Sequence, residues 1–120
     1  AGKDVLLCMN GHDHGDDCRV VDGIPYFTLN AMSSAWCGKG LGLPYYDEEM
    51  HQRWPALKDL IAYRDPLYAI VEIEGRAVRI YGRESGYQRF APEDVGMERK
   101  WNGISIEPRV SDFYFERGRE

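Results

Sequence analysis

The sequence predicts an α+β domain that is mostly β, built from antiparallel hairpins with one short helical connection. Three observations carry that prediction. An apolar run, Val5-Leu6-Leu7-Cys8-Met9, leads straight into a glycine-bounded turn. Two pairs of strand-like segments flank short turns, at Asp22-Gly23 and at Glu74-Gly75-Arg76. Only the stretch opened by Asp47-Glu48-Glu49 places acids where a helix dipole favours them. The repeated helical crossovers of an all-parallel sheet are missing.

In chain order, residues 5–9 read as a strand covered on both faces, because the run is continuous rather than alternating. Residues 10–15 read as a tight turn, with Gly11 and Gly15 easing the backbone. A polar loop at residues 15–17 precedes strands at 18–22 and 24–29, with Pro25 expected at a strand start or edge. Residues 30–38 form a small-residue segment and 39–44 a glycine-rich loop. A short helix is expected over 47–53, where Pro55 interrupts it. A further helical turn is expected within 55–62, with Leu57, Leu60 and Ile61 sharing one apolar face. The clearest hairpin joins residues 67–73 to 77–81. Residues 82–96 are less regular, 101–106 and 110–115 alternate like strands, and the tail 116–120 is expected to fray.

The 120 residues allow one domain at most, read here as a single partial domain over 1–120. A net charge of −5 argues against a general nucleic-acid binder. No apolar stretch reaches membrane-spanning length. Three cysteines, Cys8, Cys18 and Cys37, cannot all pair within one chain, which favours free thiols.

Two of the three histidines, His12 and His14, lie in the turn that closes the first strand. Paired imidazoles at a strand end are good geometry for metal ligation, since neutral imidazole is the commonest side-chain ligand of zinc and similar ions. Gly11-His12-Asp13-His14 after an apolar strand resembles the final Gly-His-x-His motif of the calcineurin-like metallophosphoesterases. The resemblance implies a sandwich of two sheets flanked by helices, and a centre of two divalent metal ions. It implies that His12 ligates one ion and His14 the other, with Gly11 as the structural turn and no role for Asp13. The family's Asp-x-His, Gly-Asp-x-x-Asp and Gly-Asn-His-Asp/Glu motifs do not occur here. The expectation is therefore a C-terminal portion whose partner is the missing N-terminal half. Phosphoesters are the substrates of the intact enzyme, while the separate chain is inactive and has no metal held tightly. The segments at 24–29 and 63–68 extend the resemblance weakly.

Two other readings stand beside it. Cys8, His12, His14 and Cys18 offer four ligands of the kind structural zinc prefers. A β-rich interaction module with an incidental histidine turn requires no metal at all. Ser33-Ser34 near Trp36-Cys37 lacks a positioned base, and His51 reads as a solvated residue of an acidic helix. Asp16 and Asp17 read as hydrated loop acids, and Arg76, Arg79 and Arg83 as a charged hairpin face. Residues 5–9, deprived of neighbours, are expected to drive self-association through an open strand edge or apolar surface.

Overall fold

The computed structural model describes residues 5–38 and 40–118. It is mostly β, made of small and predominantly antiparallel sheets. β1 (Cys8–Asn10), β2 (Asp17–Val21) and β3 (Ile24–Thr28) form one sheet in the order β1-β3-β2. β2 and β3 are a hairpin, whereas β1 runs parallel to β3 with Met9 opposite Phe27. Asp22 and Gly23 both take positive φ, 51° and 75°, the two left-handed residues of a type I′ turn. Pro25 lies inside the central strand rather than at an edge. It is tolerated because the pair next to a two-residue turn carries no ladder bond to β2, and β1 pairs only from Tyr26 onward.

The expected strand over 5–9 is shorter and less covered than its composition implies. Only Cys8–Asn10 is strand, and it lies at a sheet edge with Met9 43% exposed. Leu6 and Leu7 pack against the core without joining a ladder.

β4 (Ser34–Trp36) arises from the small-residue segment and pairs with β5 (Leu60–Ala62). The loop that follows β4 is irregular as expected, with its Lys39 outside the described residues. α1 (Glu48–Arg53) starts at Asp47, whose carboxylate accepts the Met50 N–H at 2.9 Å. The helical turn expected over 55–62 survives only as a single 3₁₀ turn, Pro55–Lys58. Leu60 and Ile61 are instead in β5, and Ile61 is fully buried opposite Ala35. Pairing with β4 overrides the helical spacing of those residues, as tertiary contacts commonly override local preference.

β6 (Ile70–Glu74), β7 (Ala77–Tyr81) and β12 (Phe113–Glu116) form the second three-stranded sheet, in the order β12-β7-β6. Between them in sequence come β8 (Arg83–Glu84), β9 (Lys100–Trp101), β10 (Ile104–Ser105) and β11 (Arg109–Val110). β8 pairs with β11, and β9 with β10 about a turn at Asn102-Gly103. The alternation over 101–106 is thus a two-strand hairpin rather than one strand. Of the expected tail, Glu116 closes β12 and the Arg117 N–H is bonded to the Arg76 carbonyl at 2.9 Å. Residues 119–120 lie outside the described residues.

Phe27, Ile61, Leu67, Val78, Ile80 and Ile106 are the largest buried aliphatic and aromatic side chains of one shared core. The radius of gyration is 17.1 Å, against roughly 13–14 Å for a compact chain of this length. The core is correspondingly thin, and many large apolar side chains stay at the surface.

Candidate functional site

β1 delivers the chain into the histidine turn, and β3 clamps it there. The Thr28 hydroxyl donates to Asn10 Oδ1, and the Leu29 N–H donates to the Asn10 carbonyl, both at 2.9 Å. The backbone then turns through His12, whose φ is 75°. Histidine is among the side chains enriched in this left-handed region. Gly11, expected to make the turn, takes no positive φ, and a side chain at its position would meet open space. Gly15 is the glycine that packing requires. A Cβ there would sit 2.5 Å from Ile104 Cγ2 and 2.9 Å from the Ser105 carbonyl oxygen.

His14 is half-buried, and its Nδ1 lies 2.9 Å from the Ser34 carbonyl oxygen. A carbonyl only accepts, so Nδ1 carries the hydrogen, and the neutral ring keeps its lone pair on Nε2. Metal-bound histidines are held in this manner, with the second nitrogen donating to a carbonyl or carboxylate. His12 and His14 line one cavity of about 140 Å³. Its other walls are Trp36, Trp101, Asn102, Ile104 and Ile106. Ser34 therefore enters the site through its main-chain carbonyl rather than as a nucleophile.

Asp16, read as a hydrated loop acid, is buried. Its carboxylate accepts the Ser111 N–H at 3.0 Å and the Ser111 hydroxyl, and pairs with Arg109 Nε at 3.3 Å. Its own N–H donates to the Ser105 carbonyl at 2.8 Å. Ion pairing and donated hydrogen bonds compensate for taking the charge out of water. Asp17 stays near the surface and pairs with Arg19.

Several expected roles change on structural grounds. Cys8 pairs with Tyr26 and Cys18 with Phe27, on strands either side of β3. Neighbouring residues of β3 face opposite ways, so the two thiols lie on opposite faces of the sheet and roughly 10 Å apart along it. They cannot join His12 and His14 around one tetrahedral zinc. Among the described residues, no three His, Cys, Asp or Glu side chains come together to hold an ion. Burial raises the pKa of Cys18, with Asp17 and Asp16 adding to it, and burial raises that of Cys37. His51 is not solvated but 4% exposed, and its Nε2 accepts the Tyr46 N–H at 3.0 Å. Arg79 and Arg83 do not gather into one patch. They stack over Tyr114 and Tyr68, at 5.0 and 5.1 Å.

Comparison with protein-family models, with curated proteins and with solved structures gives no significant match. The site therefore rests on its own geometry. Sequence reasoning found its histidines and missed its opposite wall. Asn102-Gly103 is a two-residue hairpin signal, and reading it as one would have placed Trp101 and Ile104 side by side.

Proposed function

We propose that this chain is the C-terminal, metal-completing portion of a calcineurin-like metallophosphoesterase, with a metallophosphoesterase sandwich as its parent fold. The observation that supports this most is the hydrogen bond from His14 Nδ1 to the Ser34 carbonyl, which leaves Nε2 able to ligate beside His12. His12 and His14 fit the group as donors: two imidazoles on one turn lining one cavity. Two ligands do not hold a pair of ions, so the remaining arms come from residues outside these 120. When bound, a pair of divalent ions supplies a nucleophilic hydroxide and stabilises charge on the attacking and leaving oxygens. The role of this chain is to hold two ring nitrogens in place, deprotonated and oriented, against a cavity with apolar walls. The unpaired outer edge of β1 is the place for a strand of the remaining portion, or for a second copy when that portion is absent.

The test is made on the product of the complete reading frame, loaded with manganese or zinc. His14→Ala is expected to lower metal content and to reduce phosphoester hydrolysis by about 100-fold or more. Unchanged metal content and turnover would refute the proposal. The second reading, a non-enzymatic interaction module, is favoured by β6, an edge strand with Ile73 58% exposed and Ile70 61% exposed. It gains if no reading-frame product binds metal through these histidines.

A further inference from the structure

The wall opposite the histidines has its own chemistry. Trp36, at the end of β4, and Trp101, beside the Asn102-Gly103 turn, both line the cavity and both remain partly exposed. Ile104 and Ile106 contribute apolar surface between them and the interior, and Asn102 is the only uncharged polar side chain in the lining. Polar capacity is therefore concentrated on the side of the turn at residues 12–14, and aromatic surface on the other. Two exposed indoles beside apolar carbon form a stacking platform for a flat ring. The volume, about 140 Å³, selects among flat ligands. An apolar cavity of about 150 Å³ takes one benzene, so a single six-membered ring fits and a fused ring system with its sugar does not. A free sugar also stacks on indole, but its hydroxyls need several polar partners, and this wall offers one carboxamide.

We infer that the cavity binds a phosphate ester whose alcohol part is a single six-membered aromatic ring, with the ring against Trp36 and Trp101 and the phosphate toward His12 and His14. The phosphate half of this assignment rests on the phosphoesterase reading, and the ring half does not. Two sources share the chemistry, aryl phosphates and pyrimidine nucleotides, and they differ in whether a ribose separates ring from phosphate.

The experiment measures binding to the 120-residue chain in the presence of a chelator, by the indole N–H signals in NMR. The probes are phenyl phosphate, uridine 5′-monophosphate, n-propyl phosphate and phosphate-free phenol. Phenyl phosphate is expected to bind roughly tenfold more tightly than n-propyl phosphate, the scale of one stacking contact. Trp101→Ala should abolish that preference. Trp101→Leu, which keeps apolar bulk on an exposed hairpin, should do the same with the amide signals of β6 and β7 unmoved. Uridine monophosphate matching phenyl phosphate identifies the pyrimidine source, and weaker binding identifies the aryl source. Equal affinity for the propyl ester, a preference surviving both Trp101 variants, or no binding of either ring ester would overturn the inference. If the phosphoesterase reading alone fails, phenol still binds with the same dependence on Trp101, whereas His14→Ala changes neither metal content nor turnover of the complete protein.

Discussion

The two three-stranded sheets of this molecule are held by different forces. In the sheet β12-β7-β6, alternation does the work: Val78 and Ile80 are buried, with Phe113 opposite Ile80 and Phe115 opposite Val78. Arg79, Tyr114 and Glu72 lie on the other face, where Arg79 stacks over Tyr114. In the region that carries the histidine turn, strands are short and long-range polar contacts do much of the joining. Asn30 donates through Nδ2 to the carbonyls of Glu107 and Arg109, at 3.1 and 3.0 Å, and accepts the Tyr63 hydroxyl at 3.1 Å. Asp16 ties the loop after His14 to Ser111 and Arg109. Burying apolar area stabilises without regard to direction, while hydrogen-bonded buried groups fix one arrangement. A site needs the second kind of support.

The sharpest way to test that contrast is to remove a buried polar tie. Asp16→Ala leaves the Ser111 donors and Arg109 without their acceptor, and should destabilise the protein by about 3 kcal/mol. Asp112→Ala removes an exposed acceptor, the partner of the Gly82 N–H at 2.7 Å, and should cost below about 1 kcal/mol. Denaturant titration of both variants decides it, and equal losses would break the distinction.

Alkali probes the same polar support. Burial pushes the Tyr63 phenol from 10.0 up to about 12, with the bond to Asn30 opposing the shift. The folded state thus favours the neutral phenol. Its stabilising contribution is complete below pH 10 and is lost as pH rises toward 12. The loss approaches about 2–3 kcal/mol. Denaturation midpoints at pH 9 and pH 12 should show this fall in the native protein and a smaller one in Tyr63→Phe. The smallest expected effect lies in the turn itself. His12→Gly relieves a left-handed backbone, and should leave stability unchanged or raise it by less than about 1 kcal/mol while removing an imidazole from the cavity. Measurable destabilisation would mean that His12 holds the fold rather than the site.

The same contrast explains what the sequence revealed. The hairpin of β6 and β7 was legible because period-two alternation is a local property, as were α1 with its Asp47 cap and the Asp22-Gly23 turn. The histidines were legible as a motif. The supports beneath them were not: the Ser34 carbonyl has no residue signature, and Asp16 reaches a partner 95 residues away. His51 misled because an acidic helix looked solvated, whereas the chain leading into that helix folds back to place the Tyr46 N–H on its ring. Leu60 and Ile61 misled because their spacing is helical and only the distant β4 makes them strand.

The most direct test is a long-range ¹H–¹⁵N NMR spectrum of the His14 ring, in the chain alone and in the complete protein as zinc is added. The account expects the hydrogen on Nδ1 in the neutral ring, and a metal-dependent shift confined to Nε2. A ring protonated on Nε2, or an Nε2 signal that saturating zinc leaves unmoved in the complete protein, would contradict it.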